Sequence, residues 1–165
     1  MRPIFLVAAV ILAASPAYAQ HVGTLQVIES TKTIRLGYLE TALPFSFADR
    51  NDNPQGYSVE LCRRVADGIR QQLRFQEINV VWVRVPSGDR FEMVTSAKID
   101  LECGTSGISL SRQKAVDFSL PIWIDGTGFV TKAGSGIRRL SDLAGRRVAV
   151  IDGSSAETAL SESLQ

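Results

Sequence analysis

Arg112 is the residue with the clearest capacity to bind an anion. It lies just after the loop that follows a predicted strand at 99–102 and is the one basic group placed there. A guanidinium is a planar fork that holds a carboxylate through two hydrogen bonds, which an ammonium does less well. Position alone leaves two interpretations open, a carboxylate-binding residue or an ordinary arginine of a surface loop.

A second candidate anion site is the turn Asp152-Gly153-Ser154-Ser155, which opens a predicted helix at 154–164. Backbone N–H groups at the N-terminus of a helix attract anions. Serine side chains at the same place also cap helices. Ser154 and Ser155 suit either role, and the two roles are compatible.

Covalent or metal-assisted catalysis is disfavoured. The run Gly104-Thr105-Ser106-Gly107 faintly suggests a serine nucleophile, but it is not the Gly-x-Ser-x-Gly elbow. The only histidine of the sequence, His21, is far from this run and beside a predicted cleavage site, so a Ser–His pair is implausible. The spacing of Cys62 and Cys103 fits neither a metal site nor a CxxC redox motif. No cofactor or metal is expected.

The elements that must position these residues alternate between strands and helices, which predicts an α/β fold with a parallel or mixed sheet. The predicted strands are 33–38, 78–85, 99–102, 118–123 and 148–151. The predicted helices are 58–73, a short one ending at 97, 137–144 and 154–164. Ser58 is expected to cap the first of them. Ligands of such sheets bind at the carboxyl ends of the strands, so we expect the site in the loops 39–44, 86–90, 103–112 and 152–155.

Four aromatic residues have expected places in this arrangement. Trp82 and Trp123 lie within or at the end of apolar strands, and we expect both in the core. Phe45 and Phe47 form an extended aromatic turn, and we expect them in the core or in the wall of a cleft.

The N-terminus has the pattern of a secretory signal peptide. Arg2 precedes an apolar run at 4–14, and Ala17-Tyr18-Ala19 is a small-x-small cleavage site. The run is shorter than the ~20 residues of a transmembrane helix. We therefore expect cleavage before Gln20 and a periplasmic protein. Without Arg2 the 18 basic residues fall to 17, equal to the 17 acidic ones, which gives no reason to propose a nucleic acid or an anionic membrane as partner.

Cys62 and Cys103 have two interpretations. Cys62 lies on the apolar face of a predicted helix and Cys103 at the end of a predicted strand. In an oxidising compartment the two thiols could pair. Two buried free thiols are the alternative, because free cysteine packs as a small apolar residue. The sequence leaves both open.

Several separated motifs resemble one protein family. The helix start at 56–61 (GYSVEL) resembles the family-3 bacterial extracellular solute-binding proteins. The segments 99–104 (IDLECG), 112–114 (RQK) and 117–119 (DFS) match the same family and look most like its glutamate/aspartate-binding branch. The resemblance extends from about Ile34 to Ala159 and implies a type II periplasmic-binding-protein fold.

The resemblance also implies a domain organisation. Residues 1–19 are the signal peptide, 20–124 a near-complete first lobe, and 125–165 the first βα unit of an incomplete second lobe. A short strand and one helix cannot bury a core of their own, so we expect a chain truncated at its C-terminus. A small C-terminal appendage packed on the first lobe is the alternative.

The resemblance implies roles for the candidate residues on the first lobe. Arg112 would hold the α-carboxylate of the ligand and Thr105 would accept from its α-ammonium. Gly107 stands where the family usually has a threonine, so that hydroxyl is lost. Ser87 and Arg90 stand where the acidic-amino-acid branch recognises the side-chain carboxylate.

Two further positions bear on the ligand. Ser154 and Ser155 would contact its carboxylate from the second lobe. Leu39 replaces a basic residue that the branch places after its first strand. The loss of that charge extends the expected ligands from acidic to neutral polar amino acids.

The implied function is the periplasmic solute-binding component of an amino-acid ABC transporter. As a monomer it would bind one free acidic or polar amino acid between two lobes and deliver it to an inner-membrane permease. One alternative is an enzyme resembling cyclohexadienyl dehydratases, which share the fold, although no catalytic acid is identifiable. The other is a non-functional fragment, for which weak or undetectable binding is expected because two closable lobes are needed.

Overall fold

The structure, a computed structural model, describes residues 23–126 and 128–163. The predicted signal peptide and its cleavage before Gln20 lie outside these residues. The α-helices are α1 (Thr24–Thr31), α2 (Tyr57–Gln72), α3 (Arg90–Thr95) and α4 (Ser155–Ser163). The strands are β1 (Thr33–Tyr38), β2 (Thr41–Ala42), β3 (Ser46–Ala48), β4 (Pro54–Gln55), β5 (Asn79–Arg84) and β6 (Leu101–Glu102).

The main sheet is parallel, with strand order β5-β1-β6. Strand β1 is central and pairs along its whole length with β5, from Thr33 opposite Asn79 to Tyr38 opposite Arg84. On its other side Leu36 lies opposite Leu101. This confirms the predicted parallel arrangement and the predicted bounds of β1. The loops that leave β1, β5 and β6 emerge at one edge of the sheet, as required for a site at the carboxyl ends of the strands.

A small antiparallel sheet of order β2-β3-β4 follows β1. Its strands lie in the region interpreted from sequence as turns. It is anchored by Ser46, which is fully buried and whose hydroxyl accepts from the backbone N–H of Leu39 at 2.9 Å. The sheet thus fixes the start of the loop after β1. Helix α1 was not predicted from sequence either.

The core lies between α2 and the main sheet. Its buried side chains come from α1, β1, α2 and the end of β6, namely Ile28, Ile34, Leu36, Cys62, Ala66 and Cys103. Cys62 and Cys103 form a disulfide with their Cα atoms 6.1 Å apart, which decides between the two interpretations left open above. The predicted core position of Trp82 is confirmed, since it packs against this cluster. The disulfide fastens α2 to the strand that leads into the candidate site.

Four local expectations are wrong. Residues 118–123 and 148–151 do not form strands, and the predicted helix at 137–144 is a short 3₁₀ helix, Leu140–Leu143. A β-branched run becomes a strand only when a neighbouring strand takes its backbone hydrogen bonds, and no such neighbour is present for 148–151 within residues 23–126 and 128–163. Ser58 does not cap α2, because Gly56 occupies the N-cap and the Ser58 hydroxyl donates instead to the Gly104 carbonyl at 2.8 Å.

An ion pair between Arg35 and Asp100 ties β1 to the segment that enters β6. The Asp100 carboxylate accepts from the Arg35 backbone N–H at 2.8 Å and from Nε and Nη2 of its guanidinium at 3.0 and 2.6 Å. The Asp100 side chain is 5% exposed, so these bonds are shielded from water. Charge-assisted hydrogen bonds of this kind stabilise more than neutral ones.

Replacing Asp100 by alanine is expected to lower the free energy of unfolding by about 2 kcal/mol, because it leaves the Arg35 donors without their acceptor. Urea denaturation monitored by circular dichroism measures the change. Asp67→Ala is the matched control, because the Asp67 carboxylate pairs with Arg70 on the solvent side of α2 and is 54% exposed. If the two substitutions lower the free energy of unfolding equally, the buried Arg35–Asp100 pair stabilises the fold no more than an exposed ion pair does.

Within residues 23–126 and 128–163, none of the helices combines the length and the apolar character needed to cross a bilayer. The same residues contain no grouping of three or more histidine, cysteine, aspartate or glutamate side chains suited to a metal ion.

Candidate ligand-binding cleft

A cleft with a volume of about 480 Å³ lies at the carboxyl end of β6. Its walls come from the segments 100–108 and 116–126, together with single residues of other elements: Phe45, Ser58, Phe91, Val94 and Ser155. The bond from Ser58 to the Gly104 carbonyl and the disulfide at Cys103 both hold the first segment against α2. The cleft therefore has one wall fastened to the core.

Thr105 and Ser155 line the cleft from opposite parts of the chain. Thr105 is exposed in the loop after β6, and Ser155 is the first residue of α4. Ser154 does not line the cleft. Its hydroxyl accepts from the backbone N–H of Glu157 at 3.2 Å, which is the capping interaction predicted for it.

The guanidinium of Arg112 joins the two sides of the cleft. It donates to the Gly107 carbonyl and to the Gly153 carbonyl, each at 2.9 Å. Its carbon Cζ lies 5.0 Å from the centre of the Phe91 ring, a cation–π distance. Arg112 is not among the lining residues, but Gly107, Phe91 and Ser155 around it are. A carboxylate bound at this place would replace the Gly107 and Gly153 carbonyls as the acceptor of the Arg112 hydrogen bonds.

Ser87 and Arg90 lie beside the cleft and not in its lining. Arg90 is buried to 9% exposure, and its Nε donates to the Ser87 carbonyl at 2.6 Å. The two residues are in contact through the Ser87 backbone carbonyl, and the exposed Ser87 hydroxyl takes no part in this bond. Arg90 places a buried positive charge near Glu102, a residue of the cleft wall.

Three aromatic rings form a cluster at the cleft wall. The centroid of the Phe45 ring is 6.1 Å from that of Tyr57 and 5.4 Å from that of Trp123, and the rings meet edge to face. The Tyr57 hydroxyl donates to the Ile122 carbonyl at 3.1 Å. Phe45 lines the cleft as expected, but the core position expected for Trp123 is wrong, because this residue is 61% exposed. The cluster attaches the segment around Ile122 and Trp123 to the start of α2.

Glu102 is a cleft residue that sequence reasoning missed. Burial raises the pKa of its carboxyl. A hydrogen bond with the Ser106 side chain, the positive charge of Arg90 and a hydrogen bond with the Gly104 backbone each act to lower that pKa, and burial has the larger effect. A side chain at Gly104 would collide with the Glu102 carboxyl and with the buried Leu39. The Asp-x-Glu-Cys-Gly run at 100–104 could have indicated a buried functional acid, because an acidic residue followed by Cys-Gly at the end of a buried strand is unusual.

Residues 128–163 surround a second, mostly apolar cavity of about 770 Å³. Large apolar side chains there are exposed, among them Val130 at 100% and Ile151 at 66%. Helix α4 and the Leu140–Leu143 turn contribute to its walls.

Comparison with known proteins supports one family. The family of bacterial extracellular solute-binding proteins, family 3, matches residues 34–163. The chain is 33% identical over 155 residues to an L-glutamate/L-aspartate-binding protein of Pseudomonas aeruginosa, covering 93% of this chain and 51% of that protein. It is 31% identical over 137 residues to a glutamate/aspartate import solute-binding protein of Salmonella typhimurium, covering 83% of this chain and 45% of that protein.

Solved structures agree on the fold. The structure of an ancestral amino-acid-binding protein, described as a precursor of cyclohexadienyl dehydratase, superimposes with a TM-score of 0.75 at 27% identity over 85% of this chain and 60% of that one. The arginine-bound form of truncated ArgBP from T. maritima gives 0.72 at 26% identity over 82% and 62%. The fold is thus the type II periplasmic-binding-protein fold, and the chain spans about half the length of the sequence relatives named above. The chain belongs to the bacterial extracellular solute-binding proteins of family 3.

Proposed function

We propose that this chain is the solute-binding component of an amino-acid ABC importer. It would act in the periplasm, as a monomer, and bind one free amino acid in the cleft after β6 for delivery to an inner-membrane permease. The proposal rests on family membership and on the relatives of P. aeruginosa and S. typhimurium, whose names describe amino-acid binding. Neither a cofactor nor nucleic acid has a role in it.

The observation that carries the proposal is the position of Arg112 between the two sides of the cleft. In the proposal the guanidinium binds the α-carboxylate of the ligand through a pair of hydrogen bonds, as it now binds the Gly107 and Gly153 carbonyls. The Phe91 ring beneath it limits the directions in which the fork can point. A ligand carboxylate would take the place of the Gly107 and Gly153 carbonyls as the acceptor of these two hydrogen bonds.

The remaining candidates have distinct roles in this proposal. Thr105, exposed in the cleft, accepts from the α-ammonium, and Ser155 approaches the carboxylate from the start of α4. Ser154 shapes that helix start by capping it. Ser87 and Arg90 act on the ligand side chain, Arg90 through its charge from beside the cleft.

The test is a binding measurement on the purified chain with the twenty amino acids. A ligand that binds the folded state must raise the melting temperature, so one or a few amino acids are expected to raise it in a saturable manner. Ligand-observed NMR checks the same ligands, because it also detects weak binding. D-enantiomers of the binding amino acids are the control. If no amino acid changes either signal, the proposed function is wrong.

A cyclohexadienyl-dehydratase-like enzyme is the second candidate. Two observations favour it: the similarity to an ancestral precursor of such an enzyme, and the Glu102 carboxyl with its raised pKa in the cleft, a property of general acids. Assays of prephenate and arogenate turnover discriminate, because a binding protein leaves both compounds unchanged. Turnover that disappears in Glu102→Gln would replace the transport proposal by the enzymatic one.

A further inference from the structure

The first turn of α2 makes a hydrogen bond to each of the two segments that wall the cleft. The Ser58 hydroxyl donates to the carbonyl of Gly104, which belongs to the segment after β6, at 2.8 Å. The Tyr57 hydroxyl donates to the carbonyl of Ile122, which belongs to the other segment, at 3.1 Å. The two donors are consecutive residues, so both cleft walls are bonded to one place on the helix.

This helix start is itself fixed by its backbone. The N–H of Tyr57 donates to the Pro44 carbonyl at 3.1 Å, and the N–H of Ser58 donates to the Phe45 carbonyl at 2.9 Å. Gly56 at the N-cap has a φ of 120°, and a Cβ there would collide with the Phe45 carbonyl. The close approach that glycine permits therefore sets where Tyr57 and Ser58 stand before their side chains reach the cleft.

The Ser58 bond acts on the cleft wall through Gly104. Ser58 is 2% exposed, so its hydroxyl is shielded from water. The Gly104 carbonyl and the Thr105 N–H belong to one planar peptide unit, so holding the carbonyl also sets the direction in which Thr105 leaves. Residues 103–111, all of them described by the structure, form neither helix nor strand that would impose this direction instead. Thr105, the proposed acceptor of the ligand ammonium, is thus positioned through Ser58.

The Tyr57 bond acts on the second segment through Ile122. Its acceptor is the carbonyl one residue before Trp123, which lines the cleft. The Tyr57 and Trp123 rings meet edge to face with their centroids 6.3 Å apart. Trp123 is 61% exposed, so burial alone does not hold this part of the wall. The Tyr57 hydroxyl supplies a directional bond where apolar packing is incomplete.

We propose that the hydroxyls of Tyr57 and Ser58 are positioning groups for ligand binding, which together fix the two cleft walls relative to each other. This inference rests on the proposed function and adds residues that act on the ligand through others, since both hydroxyls donate to backbone carbonyls. Binding groups must be held to within about 0.5 Å of their productive places. Loss of either hydroxyl is therefore expected to weaken binding.

The experiment measures dissociation constants of the full chain and its variants by ligand-observed NMR, with the amino acid that binds the unmodified chain most tightly. Tyr57→Phe should weaken binding about threefold, and Ser58→Ala about tenfold, which spans the net value of one hydrogen bond. The effect of Ser58→Ala is the larger because the Gly104 carbonyl is buried. Ser58→Thr restores a hydroxyl and should bind within about threefold of the unmodified chain.

Two substitutions of the same kinds are the matched controls. Tyr38→Phe removes a hydroxyl that accepts from Nε of Arg84 at 3.1 Å, and Ser46→Ala removes one that accepts from the Leu39 N–H at 2.9 Å. Both residues are buried, and neither is among the lining residues of the cleft. These controls should lower the melting temperature at least as much as Tyr57→Phe and Ser58→Ala, but change the dissociation constant by less than about twofold.

Controls that weaken binding as much as Tyr57→Phe and Ser58→Ala would show that affinity follows overall stability, and the positioning role would be wrong. Unchanged binding by both cleft variants overturns it too, as does a Ser58→Thr variant that binds no better than Ser58→Ala. Should the Ser58 variants not fold, Tyr57→Phe against Tyr38→Phe decides, because the Tyr57 side chain is 44% exposed and keeps its ring. Absence of binding by every amino acid to the unmodified chain overturns the proposed function as well.

Discussion

Replacing Cys62 and Cys103 together by alanine is expected to lower the free energy of unfolding by about 4 kcal/mol, since the disulfide closes a loop with a sequence separation of 41 residues. The bond restricts the unfolded chain, and it also lies in the core, where Cys103 is 1% exposed. Urea denaturation of the oxidised protein and of the double variant measures the difference. Typical domains have a total stability of only about 5–15 kcal/mol, so the effect is large.

A reducing agent provides the control for this experiment. Reduction of the unmodified protein should destabilise it by a similar amount, whereas the same agent should leave the double variant unchanged. If the double variant unfolds at the same urea concentration as the oxidised protein, the disulfide contributes nothing. A loss on alanine substitution without a loss on reduction would assign the effect to packing around the two side chains.

Replacing Arg112 by alanine is expected to weaken amino-acid binding by about 100-fold or more, because truncating one partner of a hydrogen-bonded charge pair costs about 2–5 kcal/mol. Arg112→Lys keeps the charge but loses the fork and should weaken binding about tenfold. Ligand-observed NMR with the amino acid that binds the unmodified chain measures both.

Lys114→Ala is the matched control for Arg112, since Lys114 is an exposed cation in the same 3₁₀ turn, Arg112–Lys114. Its dissociation constant should not change. The melting temperature without ligand separates binding from structure, because Arg112 also bonds the Gly107 and Gly153 carbonyls. Unchanged binding by Arg112→Ala would contradict the carboxylate role and leave Arg112 as a link between the two sides of the cleft.

The parts of the fold that sequence predicted are those with a strong local pattern. Strand β1 has the predicted bounds, and α2 follows the apolar spacing of Val59, Cys62 and Ala66, all buried on one face. Strands β2, β3 and β4 were missed because each has only two or three residues, too few for a periodic pattern. Their pairing depends on Ser46 and Leu39 meeting in space, which no local signal reports.

The candidate site was predictable only as a set of loops. The motif around Arg112 pointed to the carboxyl end of the sheet, and Thr105 and Ser155 line a cleft there. The environment of Glu102 includes the apolar side chain of Leu39 and the charge of Arg90, and both residues are distant from it in sequence. Likewise the Ser58 hydroxyl bonds a carbonyl 46 residues away, in preference to the local capping role that its position favoured.

The central place of β1 in the main sheet has a consequence for the time course of folding. Arg35 on β1 meets Asp100 across 65 residues, and Thr33 meets Asn79 across 46. During synthesis β1 emerges early but finds no neighbour until β5 and β6 have followed. Closing these long loops costs conformational entropy before the distant strand pairings contribute any stabilising free energy. Sheet formation is therefore slow compared with the folding of a helical protein of similar length. In that interval Ile34 and Leu36 remain uncovered, and it is then that the chain is most exposed to aggregation.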